Sequence, residues 1–484
     1  MILLRYTGHP FVDVGVATIT AFAGVQRPEE VTEENLENVT NLLLDLYMNR
    51  TMARYVGYVV FANVYFANPG LVTNEKYDVP RREALAAYLN LYKPDAPLLA
   101  NEDLPDEGEQ CIFSGDPAVI RASRSIIPLT SVDINFAPEG RPKFPVAGWC
   151  VLALLTMPLG ALNSNGKLWI VHTPDTQWLQ YFAGLNLKRN QHALQQQSLE
   201  KLPNYKFAKT RLMDDLAKTH AALPRKTPLT AYLFTSSGRK SELDIYHLPS
   251  SIVSFVHEAK RRFGPVWDAI VARAWETSAP AKDEEGVIVY QDRNFFYEDL
   301  FDLPERAVSF LRRYLLRQPR PGKATGKQKL DPRFGYSFAK ERDVIHWGLT
   351  ELFLERIMNI DKERIASIKQ LADRLADYIQ NHDARLFKRL FWARNDYQIR
   401  LELLKAANAA QSSTGLPLVP YEEFMRVFFF DEGDAVRPDW YLARDLLMIR
   451  LIERLHESGW IGQHPDIDKD EEVENEELET TRGI

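Results

Sequence analysis

Between Phe144 and Gly166 the chain carries no charged side chain. Pro145 and Pro158 bracket only about a dozen helix-forming residues there, well short of the ~20 that a membrane span requires. A helix apolar on every side must be buried on every side, so the chain has to fold around a large core. Its 484 residues exceed the size at which single cores stop growing, which predicts two or three domains. With 45% hydrophobic and 26% charged residues it can fill such a core, and whole-chain disorder is excluded. The start lacks a leader pattern, since Arg5 falls within Met1–Tyr6 and Gly8-His9-Pro10 breaks the run. Two cysteines in this length argue against a disulfide framework. The expected compartment is the cytoplasm, with no membrane partner.

The net charge of −7 is misleading. From Asp466 to Ile484 nine acids face Lys469 and Arg482, so that tail alone accounts for −7. In the formally neutral remainder, Lys188 to Arg262 holds 14 basic against 6 acidic residues. Arg317 to Arg342 holds eight basic residues against Asp331 and Glu341. Clustered cations on a neutral body suit a polyanionic partner, because they displace condensed counterions; the plainer reading is two solvated loops.

Periodicity places the elements. Thr32 caps a predicted helix to Asn49, and Arg81–Tyr92 and Val146–Thr156 follow as helices. Gly57–Tyr65 and Lys167–His172 read as strands. Asp175 caps a helix running toward Leu185, and Thr230–Thr235 with Leu243–His247 predicts a hairpin. Ser250–Arg262 and Pro265–Thr277 are helical, and helix continues to about Arg317. Gln318–Gly335 is rich in Pro, Gly and Lys. Beyond it Val344–Met358, Lys362–Gln380, Ala384–Ala409, Tyr421–Phe429 and Trp440–Glu457 all carry helical periodicity. The expected fold class is α+β, a mixed α/β N-terminal region followed by an all-helical C-terminal bundle. The expected division is an α/β domain over 1–317, a basic linker over 318–342, a bundle over 343–465 and an acidic tail over 466–484.

No catalytic set assembles. Gly322 to Gln328 has the look of a phosphate loop, but its glycines are one residue too close and Gln328 stands where Mg²⁺ needs a hydroxyl. The ten histidines form no metal-spaced pair, and there is no Gly-x-Ser-x-Gly elbow. The chain is therefore expected to be no enzyme and to need no cofactor or metal.

The opening Thr7-Gly8-His9-Pro10-Phe11-Val12-Asp13-Val14-Gly15, continuing through Val16–Gly24, is distinctive. It is followed in order by Cys111–Gly115, Arg121–Ser125, Asn135-Phe136, Cys150–Leu154, Pro158-Leu159-Gly160 and Leu168–His172. In these segments the chain resembles the large-subunit family of type I CRISPR effector complexes (Cascade), particularly the subtype I-B branch. The resemblance covers roughly the first 185 residues; beyond them it rests on architecture. It implies a non-catalytic subunit that reads a protospacer-adjacent motif, helps open target double-stranded DNA and contacts the displaced strand. Base pairing to crRNA would supply most sequence specificity. The implied partners are crRNA, target DNA, the backbone, crRNA 5′-handle-binding and small subunits, and a downstream helicase-nuclease or transposition factor. The rival reading is a helical scaffold that binds only protein.

The resemblance also implies two Cys-x-x-Cys motifs, of which Cys111 and Cys150 remain while Ser114 and Ala147 hold the partner positions. A hydroxyl and a methyl do not complete a zinc shell, so metal loss is expected; the alternative is two unrelated buried cysteines. Three segments are candidates for DNA contact. Arg121 and Arg124 lie with Asn135 in an expected loop region. Lys188, Arg189, Asn190 and Gln191 put amides beside cations, or else form a polar helix face. Lys323, Lys327, Lys329 and Arg333 lie in the linker, whose plain reading is a tether. In the resembling branch a separate small subunit arises by internal translation, and Met358 stands at a suitable start, unless it is merely a core methionine. A fragment from Met358 to Ile484 is expected in the purified wild-type complex and is expected to vanish in Met358→Leu; its absence from both would refute the internal start.

Overall fold

A computed structural model describes residues 4–61, 69–96, 104–129, 143–195, 202–219, 226–236, 241–282, 288–317, 338–414, 417–429 and 438–464. The chain forms two compact units, Met1–Val253 with Thr277–Arg293, and Ser254–Glu276 with Asn294–Ile484.

The first unit is built on helix α1 (Pro10–Ala23), whose residues from Phe11 to Thr20 are all buried. Its hydroxyls are satisfied within the helix, Thr18 donating to the Val14 carbonyl at 2.6 Å and Thr20 to Val16 at 2.8 Å. Helix α2 (Glu33–Met48) starts where Thr32 Oγ1 accepts from Asn35 N, with Asn35 Oδ1 accepting from Thr32 N in return. The strand expected over Gly57–Tyr65 is overturned at its start, because α3 is helical over Arg50–Val59. Asn49 Oδ1 accepts from Thr51 N and Met52 N, each at 3.0 Å, and that cap outweighs the β propensity of Val59 and Val60. Residues 62–68 lie outside the described residues. Helix α4 spans Asp78–Leu89. The uncharged stretch opens as strand β2 (Phe144–Val146), paired with β1 (Ile120–Ala122), and continues as helix α5 (Gly148–Thr156), buried at every residue.

Strands β3 (Leu162–Ser164) and β4 (Lys167–His172) form a hairpin turned by Asn165 and Gly166, both at positive φ. Helix α6 (Thr176–Gln195) runs nearly three turns beyond the predicted Leu185, and Asp175 Oδ1 caps it by accepting from Gln177 N and Trp178 N. Then come β5 (Asn204–Tyr205), α7 (Ala208–Lys218), β6 (Leu229–Thr235), β7 (Glu242–Leu248), β8 (Ala281–Lys282) and β9 (Ile288–Tyr290). They join one mixed sheet in the order β7-β6-β4-β3-β5-β9-β8. The predicted hairpin is β6–β7, antiparallel in register from Leu229↔Leu248 to Thr235↔Glu242. Helices α1 and α6 pack against β4 and against each other.

The second unit is helical, apart from an isolated strand pair beside it. Residues 254–276 and 294–317, expected in the α/β domain, belong here because of their rings. Phe255 and Phe310 both meet Phe353, and Trp267, Phe310 and Tyr314 surround Phe296. Arg317 and Glu341, each 1% exposed, form an ion pair at 3.3 Å, and Arg273 joins Glu341 at 3.2 Å. The basic stretch between them thus has both flanks in one unit, where a tether between domains was expected. Lys323, Lys327, Lys329 and Arg333 lie outside the described residues.

In the bundle, α8 (Lys362–Asn381) is capped by Asp361 and packs on the helix Trp440–Glu457, with Ile365, Ile368, Leu371, Leu375 and Ile379 buried. The single helix expected over Ala384–Ala409 is two, Arg385–Phe391 and Asp396–Thr414, parted where Asn395 Oδ1 caps Gln398 N at 2.8 Å. Met358 ends a π-helical turn just before Asn359, whose φ is positive. A chain begun there would lack Trp347, whose backbone N–H donates to Glu453, and Phe338, whose ring meets Phe387 and Phe391. Among the described residues no helix is long and apolar enough to cross a membrane.

At Gly15 a side chain has no room, since a Cβ would collide with the Ala153 carbonyl of α5. Gly15→Ala is expected to cost roughly 3 kcal/mol, read as a lowered urea midpoint; an unchanged midpoint would mean that α1 and α5 are not in backbone contact.

Candidate nucleic-acid interface

The distinctive opening segment is a structural clasp. Asp13, 2% exposed in the first turn of α1, accepts from Thr7 N at 2.6 Å, Thr7 Oγ1 at 2.9 Å and Gly8 N at 3.0 Å. His172 Nε2, at the end of β4, lies 3.1 Å from Oδ2, the oxygen that also accepts from Gly8 N. Burial depresses the His9 imidazole pKa and raises that of the Tyr6 phenol, which Asp13 pushes up further. These groups fix the start of α1 against the sheet and leave no cation turned outward.

Cys111 and Cys150, from two separated segments, meet. Cys111 sits in a tight turn, its N–H donating to the Asp116 carbonyl at 2.7 Å and its carbonyl accepting from Gly115 N at 2.9 Å. Cys150 lies in the first turn of α5, after Ala147. The two Sγ atoms are 3.8 Å apart. Hydrogen bonds from the Cys150 thiol, and then from Ser114 and the Ala147 and Phe113 N–H groups, hold the Cys111 thiol well below its ordinary range despite burial. Cys150 is pushed up by the same bond and by burial. Two thiols, one hydroxyl and one methyl do not fit a structural zinc shell. Among the described residues no group of three or more His, Cys, Asp or Glu side chains is placed to hold a metal.

The predicted contact residues separate. Arg121, on β1, is 7% exposed; it is held by Glu109 and donates to the Lys143 carbonyl at 2.7 Å, so it is an internal brace and not a reader of bases. Arg124 is half-exposed in the turn that follows. Asn135 lies outside the described residues. On α6, Lys188 is exposed and Gln191 half-buried. Asn190 is turned inward by the helical period, 1% exposed, with Nδ2 donating to the Leu159 and Ala161 carbonyls at 2.8 and 2.9 Å. It holds the turn after α5, and its expected base-edge role is corrected. Arg189 is bidentate to Asp215 of α7, at 2.8 and 2.5 Å.

That ion pair leads to a patch that the sequence reading missed. Arg211 Nε is 3.5 Å from Asp215, and its guanidinium lies 5.7 Å from the Tyr205 ring centroid. Tyr205 of β5 and Tyr290 of β9 are register partners whose rings stack at 4.8 Å and 10°. Lys206 and Arg293 lie 5.5 and 5.2 Å from the Phe207 ring, and Lys209 lies 4.1 Å from Tyr246. Burial raises the Tyr205 pKa, against the pull of Arg189 and Arg211. Lys206 is exposed, and Tyr205, Phe207, Lys209, Arg211, Tyr290 and Arg293 are half-exposed. Cations beside ring faces hold phosphates and support stacked bases. The signal in the sequence was the alternation Tyr205-Lys206-Phe207 inside the basic stretch. Tyr290 and Arg293 arrive only through parallel pairing of β5 with β9.

Comparison with known proteins finds no matching family model, no matching curated protein and no matching solved structure.

Arg121→Ala strands Glu109 and the Lys143 carbonyl, and is expected to cost about 1–3 kcal/mol of stability. DNA affinity per folded molecule should stay unchanged; a loss of binding with an unchanged melting temperature would return Arg121 to the interface.

Proposed function

We propose that this chain is the non-catalytic large subunit of a crRNA-guided effector complex of the subtype I-B kind. It would read a short flanking motif, help open the target duplex and contact the displaced strand. The observation that carries the reading is the meeting of Cys111, Ser114, Ala147 and Cys150 at one place. These positions come from two separated segments, and the resemblance had paired them. Opening a duplex needs no reacting group; it needs cations on phosphates and side chains that take the place of lost stacking. Lys188, Lys206, Lys209 and Arg293 with the rings of Tyr205, Phe207 and Tyr290 offer that chemistry. Guide RNA, the companion subunits and a helicase-nuclease or transposition factor are the proposed partners.

Purification of the chain from its native context is expected to bring down a short RNA and companion subunits. Duplex affinity should fall steeply with salt, and replacing Lys206, Lys209 and Arg293 together by Gln should lower the log–log salt slope by about 3. Salt-insensitive assembly with proteins alone would favour the scaffold reading. Mg²⁺-dependent cleavage by the pure chain, lost on mutating one carboxylate, would overturn the non-catalytic one.

A further inference from the structure

We infer that Cys111 and Cys150 form a reversible dithiol–disulfide pair, a covalent clasp that closes under oxidising conditions where two thiols face each other without a metal. The inference stands apart from the guide-dependent reading and does not need it.

The segments bearing the thiols are already fixed side by side. Ile112 N donates to the Pro145 carbonyl at 3.1 Å and Val119 N to the Val146 carbonyl at 3.0 Å, while Ile120 pairs with Val146 across β1 and β2. At 3.8 Å the sulfurs are in van der Waals contact. Closing to the ~2.05 Å of a disulfide takes small side-chain rotations with the backbone held. No third cysteine competes, since the chain has two. The sulfur of Cys111 accepts from Phe113 N at 3.4 Å, which favours its thiolate. Both thiols are buried, at 3% and 0% exposure, yet the turn over them is at the surface, with Ile112 51% exposed. Opening that one turn admits a small oxidant.

The electrons balance with a glutathione-type disulfide as oxidant. The Cys111 thiolate attacks one of its sulfurs, forming a mixed disulfide and expelling one glutathione thiolate. Cys150 loses its proton to that thiolate and attacks the Cys111 sulfur, expelling the second, which takes a proton from water. Two protein thiols are oxidised, and one small disulfide is reduced to two thiols. The bond then ties the start of α5 to the Cys111 turn and restricts the unfolded chain by closing a loop between residues 39 positions apart.

The test uses the full chain, natively folded, in buffers of graded oxidised-to-reduced glutathione, followed by alkylation and peptide mass analysis. Both thiols are expected to become unreactive together, with a Cys111–Cys150 linked peptide lighter by two hydrogens and restored by dithiothreitol. The melting temperature should rise by roughly 5 °C or more. Cys150→Ser should instead accumulate glutathione on Cys111. The inference is overturned if both thiols stay alkylatable at the most oxidising ratio, if the link forms only in urea, or if stoichiometric zinc shields the thiols in the protein as purified.

Discussion

Asp13 receives four hydrogen bonds inside the core, three from residues just before it and one from His172 across the sheet. Removing one partner of such a buried charged group costs on the order of 3 kcal/mol or more. Its larger consequence is positional. With the carboxylate fixed, α1 has one start and one rotation, which turns Gly15 toward the Ala153 carbonyl and Thr18 toward Gly160. That close approach sets where α5 lies, and α5 carries Cys150 to within contact of Cys111. The turn after α5 then presents the Leu159 and Ala161 carbonyls to Asn190, which fixes the rotation of α6. Arg189 is thereby turned to Asp215 and Lys188 to solvent. The cation and ring patch is thus placed through a chain of packed backbones that begins at one carboxylate.

Elements whose ends are determined by neighbouring residues were legible in the sequence. Thr32 and Asp175 cap the helices they were expected to cap, and β4 matches Lys167–His172 at both ends. The failures have different causes. At Gly57–Val59 the cap at Asn49 overrode propensity, and at Asn395 a cap inside a continuous helical pattern broke it in two. The placement of residues 254–276 and 294–317 follows from rings packing around Phe353, and no local pattern encodes contacts over such separations. Strands β5, β8 and β9 are two or three residues long, too short for an alternation to show.

For the interface, the sequence gives the residue types and the structure decides which way they face. Lys188 to Gln191 are four consecutive polar residues on a helix that advances 100° per residue, so at least one had to turn inward; it is Asn190. Arg121 sits in a strand with all three residues buried, where a guanidinium persists only because Glu109 and a carbonyl receive it. The stacked Tyr205–Tyr290 pair joins residues 85 positions apart, and only strand pairing brings them together.

Two buried acids hold several cations of the patch in place. Asp214 and Asp215, 5% and 6% exposed, take Lys218, Arg189 and Arg211. Those cations are held in place, and their charge is largely answered from below. Lys188 and Lys206 are exposed, and Lys209 and Arg293 are half-exposed beside the Tyr246 and Phe207 rings. A surface of modest net charge binds a polyanion weakly, with a salt slope of only about one per phosphate it neutralises, and stacking on its rings adds contact without selecting a base. Such a surface suits a strand that other contacts have already brought near.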